Sequence, residues 1–207
     1  GGSISLNYTT VRYGGYFQYY CGYTCYYDYA NLGIEGGSLS LNNSTVSNSG
    51  SDGIRTYTGS GGTLSIVNST IQNNGRHGVN TNNVVAPNIQ SSTFSNNGQH
   101  GLSMTNVGTL VVPSSTFSAN GQRGLYAAGI VTGSITNSVF TGNGDFAAYL
   151  NFNNGRLTGN DGNSGSGNGK GVMVFTGTLS GATTLAPNPT LPYSFERNLT
   201  VNSGASL

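Results

Sequence analysis

The chain has 207 residues, a formal net charge of +1 and only 6% Asp, Glu, Lys and Arg, where about 25% is usual for a globular protein. Its seven cations (Arg12, Arg55, Arg76, Arg123, Arg156, Lys170 and Arg197) are scattered; this excludes the concentrated positive surface of a nucleic-acid binder, and no apolar run approaches the roughly 20 residues of a membrane span. Disorder is excluded too, because 35% of residues are apolar and they recur at fixed spacing, which disordered chains lack.

Taken from the start, Gly1 stands where Met would, and no signal peptide follows, so the chain is expected to be processed or part of something longer. Ile4 and Leu6 alternate with polar residues ahead of Thr10, the period of a half-buried strand. A Tyr-rich insert then spans about residues 15–31. Eight of the thirteen tyrosines lie at Tyr13, Tyr16, Tyr19, Tyr20, Tyr23, Tyr26, Tyr27 and Tyr29. The insert reads as a long loop in place of a short turn, and such loops are usually functional. Tyr offers large contact area with a polar tip, so three readings stand: packing against another subunit, contact with carbohydrate, or a self-packed cover on the side of the fold. Cys21 and Cys25 fall inside it without other Cys or nearby His, a poor metal site. They read as a local disulfide in an oxidising compartment, the alternative being two free thiols.

From residue 39 onward the sequence repeats. Ser44-Thr45-Val46, Ser69-Thr70-Ile71, Ser92-Thr93-Phe94, Ser115-Thr116-Phe117 and Ser138-Val139-Phe140 follow one another at steps of 25, 23, 23 and 23 residues. Downstream of each come Ser49-Gly50, Asn74-Gly75, Asn97-Gly98, Asn120-Gly121 and Asn143-Gly144. Three residues later stand Gly53, Gly78, Gly101, Gly124 and the variant Ala147. Leu39 and Leu41, Leu64 and Ile66, and Leu110 and Val112 alternate upstream, and short apolar pairs such as Leu102 with Met104 follow the third glycine. Each repeat therefore holds three strands of two to five residues. None can bury its apolar side alone, and none has hairpin spacing. The spacing predicts an all-β solenoid, one domain over residues 1–207, whose coils of about 23 residues pair strand on strand in parallel, about 4.8 Å apart.

Stacking turns equivalent positions into columns. One core column is Val46, Ile71, Phe94, Phe117 and Phe140, with an aromatic spine of offset rings; another is Ile54, Val79, Leu102 and Leu125. Asn74, Asn97, Asn120 and Asn143 are expected at a tight turn, tolerating left-handed backbone ahead of Gly and hydrogen-bonding amide to amide along the stack. A second polar column is expected at Asn43, Asn68, Ser91, Ser114 and Asn137. The glycine-rich run 160–171 reads as a loop with Lys170 exposed; no helix follows to present its N-terminus to a phosphate.

Three stretches carry a family resemblance. Coils such as Ile89 to Gly98, and Leu6-Asn7-Tyr8-Thr9-Thr10-Val11-Arg12-Tyr13-Gly14-Gly15, resemble the right-handed parallel β-helix repeat proteins of secreted and surface proteins in bacteria and archaea. The stretch from Gly177 through Tyr193 to Leu207 is similar to the segment that opens a new unit in that family. The resemblance implies a right-handed coil, an extracellular or cell-surface location and no shared catalytic motif. Both ends are expected to lie mid-stack without a polar cap, and an open β edge invites pairing. The expectation is therefore a non-enzymatic structural protein of a filament, sheath or stalk, with copies of itself or tandem units as partners. Polysaccharide binding or cleavage, or adhesion, is the alternative.

Catalysis by clustered carboxylates needs them close. The six acids are Asp28, Glu35, Asp52, Asp145, Asp161 and Glu196. Asp52 and Asp145 share nearly the same column but four coils, roughly 19 Å, apart, beyond the span of a glycosidase pair. Asp28 and Glu35 have no third partner. His77 and His100 stand one repeat apart in the column Asp52, His77, His100, Arg123, expected as a surface ladder facing solvent rather than a metal site or pH sensor. No catalytic residue, metal ligand or cofactor is assigned. Sequons occur at Asn7, Asn42, Asn43, Asn68 and Asn198; Asn7 and Asn198 are kept as candidate glycosylation sites, since Asn43 and Asn68 are expected in a ladder.

Overall fold

The computed structural model describes residues 2–18, 27–57, 62–84, 86–196 and 199–207. It is a parallel solenoid, with no helix among the described residues. A typical coil holds three strands, as in Leu64–Val67, Thr70–Gln72 and Val79–Asn82. The middle strands form a seven-stranded sheet, and the first and third strands share a larger sheet of fourteen. They share it because two strands, Leu125–Thr136 and Phe146–Gly159, run unbroken from the third side of one coil into the first side of the next. At the same corner of earlier coils, Asn83 and Asn106 take left-handed backbone and end the strand, whereas the equivalent Gly129 does so at a register shift inside a strand that runs on.

The expected columns stand in register. Thr70-Ile71-Gln72 pairs residue for residue with Thr45-Val46-Ser47 on one side and Thr93-Phe94-Ser95 on the other. Val79 lies between Ile54 and Leu102, and Leu102 beside Leu125. All nine residues of the two columns are fully buried. Phe94, Phe117 and Phe140 stack with centroids 5.0 and 4.9 Å apart and planes 8° from parallel. The spine ends where Gly165 pairs with Phe140 and the buried Leu191 side chain fills the vacated space. The run 160–171 is accordingly not a loop. Ser164–Ser166 is a seventh strand of the middle sheet, because Asn163 and Asn168 keep the corner positions that set the coil.

The asparagine ladder forms as amide to amide, but not by left-handed turning at the ladder residue. Asn97 Oδ1 accepts from the backbone N–H of Asn74 (3.2 Å) and its Nδ2 (2.9 Å), while Asn97 Nδ2 donates to Asn120 Oδ1 at 3.0 Å and to the Ile71 carbonyl. The pattern continues through Asn120 and Asn143 to Asn168. Left-handed backbone falls one residue earlier, at Asn73, Asn96, Ala119 and Gly142. The following glycines serve close approach instead: a Cβ on Gly98, Gly121 or Gly144 would overlap the carbonyl of the glycine in the coil below. The second polar column also differs by one position. Asn43, Asn68, Ser91, Ser114 and Asn137 are the left-handed corner, with Asn43 and Asn68 exposed rather than laddered. The buried ladder is the serine that follows: Ser44 N–H donates to Ser69 Oγ, Ser69 to Ser92, Ser92 to Ser115 and Ser115 to Ser138, at 3.1 to 3.4 Å.

The Tyr-rich insert contains an antiparallel pair, Tyr16–Gln18 with Tyr27–Tyr29, rather than an irregular loop; strand-forming Tyr and Phe at both ends favour the pairing. Its base is held by Asn31, whose Oδ1 accepts from Gly14 and Gly15 and whose Nδ2 donates to the Ser47 carbonyl.

Replacing Asn120 by Ala removes the buried acceptor of the Asn97 N–H and of one Asn97 Nδ2 hydrogen, and the side-chain donor to the Phe94 carbonyl. The expected cost is about 3 kcal/mol or more, read from denaturant unfolding, with Gln122→Ala on the exposed surface near zero. Thr81 Oγ1 is the buried side-chain polar atom found without a partner among the described residues. Thr81→Val is therefore expected to raise stability by about 1 kcal/mol, and a lower melting temperature would contradict that account.

Candidate functional site

The chemically diverse side chains gather along one edge of the third strands. Asp52, His77, His100 and Arg123 each precede the close-packed Gly53, Gly78, Gly101 and Gly124, so their backbones are held at the same corner. The column is a third ladder. His77 N–H donates to Asp52 Oδ1 at 3.0 Å, His100 N–H to His77 Nδ1 at 3.2 Å and Arg123 N–H to His100 Nδ1 at 3.2 Å. An Nδ1 that accepts carries no proton, so both imidazoles are neutral with hydrogen on Nε2.

Asp52 and His77 do not face solvent as a surface ladder would, while His100 and Arg123 are half-buried. Asp52 is fully buried, and His77 is 8% exposed. Burial, then repulsion from His100 once that ring is protonated, pushes His77 down to about 3; burial, then Arg123, pushes His100 down to about 4. Asp52 is shifted up, burial outweighing its bonds from Asn80 and from the backbone of His77. Asn80 Nδ2 donates to Asp52 Oδ2 at 3.0 Å, and the Arg55 guanidinium lies 3.6 Å from the same oxygen. Rings continue the column upward: His77 on His100 at 5.0 Å, His100 on Tyr126 at 5.6 Å, Tyr126 on Tyr149 at 5.7 Å. Arg123 lies 4.6 Å from the Tyr149 ring centroid, and its Nε donates to Asp145 Oδ2 at 3.2 Å. Lys170 pairs with Asp145 Oδ1 at 3.2 Å.

For acid–base chemistry a carboxyl must reach a substrate, and the fully buried Asp52 does not. Asp145 is paired with two cations, and Glu35 and Asp161 are exposed elsewhere. No group of three His, Cys, Asp or Glu able to hold a metal occurs among the described residues. Tyr16 and Tyr29 are half-exposed and paired across the insert's strands. Tyr27 belongs to the same strand, and the side chains of Tyr27 and Asp28 lie outside the described ones. Cys21, Cys25, Tyr19, Tyr20, Tyr23, Tyr26 and Asn198 lie outside the described residues. Asn7 is exposed, its Oδ1 accepting from Asn43 at 3.3 Å. What the sequence reading did not single out is a groove of about 310 Å³ beside the ladder, lined by Arg55, Thr56, Tyr57, Asn80, Asn82 and Thr105. These residues do not repeat, so periodicity carried no signal for them.

Residues 30–184 match the family described as "Right handed beta helix region". The chain belongs to this family. No match was found among curated proteins, and none among solved structures. In this β-helix the family match covers the coils whose ladders carry the candidate site. No described helix is long and apolar enough to cross a membrane.

The neutral histidines make stability depend on pH. An unfolded His takes up a proton below about 6.5, whereas His77 and His100 resist it until about 3 and 4. The unfolded state therefore binds more protons across that interval, and stability, full above about pH 7, falls as pH drops through it. Asp52, shifted up, acts in the opposite sense at the acid end of the window. The melting temperature is expected to fall from pH 7 to pH 4.5, and His77→Gln to flatten the fall. A flat profile in the unmodified chain would refute neutral, buried imidazoles.

Proposed function

We propose that this β-helix is a non-enzymatic structural element of an extracellular or cell-surface assembly, extended by stacking further coils on its open edge. The observation that carries this reading is the first rung. Ser3–Asn7, Thr10–Arg12 and Leu32–Ile34 are the outermost strands of their sheets among the described residues. Ile4, Leu6, Val11 and Leu32 there continue the inner columns, with Ile4 half-exposed and the other three partly covered. An open parallel edge with apolar residues in register is a template for another coil, whether from the same polypeptide or a second one. The engagement of Asp52, His77, His100 and Asn74 through Asn143 in coil-to-coil bonds supports the same reading, since these are the residue types an enzyme would need free.

Negative-stain microscopy and light scattering of the purified chain test it. Rods longer than the roughly 30 Å of seven rungs, growing with concentration, are expected, and Ile4→Lys with Val11→Lys should abolish the growth by placing charge on the edge. Particles of one rod length at every concentration would refute assembly through this edge.

A further inference from the structure

The outer face of the middle sheet carries a further regularity, one that the coil-to-coil ladders do not use. In each three-residue strand the central side chain points inward and its two neighbours outward. Thr10, Thr45, Thr70, Thr93 and Thr116 pair residue for residue and form one outward column, continued by Val139. Ser47, Ser95, Ser118 and Thr141 belong to the second column, interrupted by Gln72. Arg12, at the first rung, is the one charge in either column, and its guanidinium lies 5.4 Å from the Tyr13 ring centroid. Among the described residues, no side-chain hydrogen bond engages Thr45, Thr70, Thr93 or Thr116, in contrast to the serines and asparagines of the ladders.

The face is also flat. Adjacent strands of a sheet are ordinarily rotated by about 20°, yet the Phe94, Phe117 and Phe140 rings mounted on three of these strands each lie 8° from parallel with the next. Hydroxyls therefore repeat in two dimensions, about 4.8 Å from rung to rung and about 6.7 Å from column to column. Crystalline water has nearly matching repeats. Molecules hydrogen-bonded at about 2.75 Å in a tetrahedral lattice have second neighbours about 4.5 Å apart and a layer repeat of about 7.3 Å. The misfit accumulated along five threonines is about 1 Å, less than half a hydrogen-bond length. Other partners fit less well. A nucleic acid needs cations, and a protein surface or a sugar ring favours aromatic side chains; neither column offers an aromatic ring or a cation beyond Arg12. A neutral lattice of donors and acceptors is complementary in charge to a neutral face of hydroxyls, each of which both donates and accepts.

We propose that the outer face of the middle sheet binds ice, its threonine column and the adjoining serine column holding water at the spacing of the crystal so that the adsorbed chain halts growth there. The surface lies on a different face from the groove beside the histidines and does not depend on coil stacking at the first rung.

Cooling single ice crystals in solutions of the purified chain tests the proposal, with the gap between melting and growth temperatures as the readout. Faceted crystals and a gap that widens with concentration are expected. Thr70→Lys and Thr93→Lys, which set charge at the centre of the face, should each narrow the gap at least tenfold while the melting temperature of the protein stays near that of the parent chain. Val111→Lys, at an exposed position of the other sheet, should leave the gap unchanged. Should either threonine variant not fold, Val139→Thr decides: it lengthens the threonine column by one rung and should widen the gap at equal concentration. No gap in the parent chain, a gap unmoved by Thr70→Lys and Thr93→Lys, equal loss in Val111→Lys, or no widening in Val139→Thr would each overturn the assignment.

Discussion

Everything in this molecule depends on one contact repeated from rung to rung: a corner backbone N–H donating to a buried side-chain acceptor of the adjacent coil. Strands of three residues supply too few ladder bonds to fix a corner, and each corner would otherwise bury orphaned N–H groups. Serine and asparagine solve this at two corners by reaching back from the later coil, as in Ser69 N–H to Ser92 Oγ and Asn97 N–H to Asn120 Oδ1. At the third corner the direction reverses, with the earlier coil offering Asp52, His77 or His100 to the N–H above. Each coil is thus clamped reciprocally by its neighbours, and the apolar columns are held in register by polar atoms.

That clamp constrains function. A buried acceptor spent on the next coil is unavailable to a substrate, and this removes from chemistry the groups that look most reactive in the sequence. The depressed basicity of His77 and His100 comes first from burial in this stack, and an imidazole that accepts a backbone N–H at Nδ1 cannot take a proton there without losing the bond. Chemistry that contacts the outside must therefore come from residues beyond the ladders, on outward-facing strand positions free to differ from coil to coil. Asn80, Asn82, Thr105 and Tyr57 are of this kind.

Much of the fold was legible because partners in a solenoid lie one repeat away in sequence. Phe94 over Phe117 could be named from a 23-residue step, and so could Asn97 over Asn120. The errors were offsets and local exceptions. The serine ladder was assigned to its neighbours Asn43 and Asn68, because both positions are polar in every coil and spacing does not say which one points inward. The run 160–171 looked like a loop because glycine replaced the expected Phe at Gly165, with Leu191 from a later segment filling the space. His77 was placed on the surface because a polar residue before a glycine usually is.

By itself the sequence determined the architecture: coil length, parallel pairing, the identity of the core columns and the amide ladder all follow from like residues recurring at one period, since a stack converts that period directly into contact. Only the tertiary structure decided what the period leaves open. It set the inward or outward sense of adjacent polar residues, the direction of each ladder, the burial of Asp52 and His77, and the antiparallel pair within the Tyr-rich insert. It also assembled a groove from Arg55, Tyr57, Asn80, Asn82 and Thr105, residues of three coils that match no repeat. Their meeting is fixed by how the chain turns at each left-handed corner, a dihedral property that residue spacing does not carry.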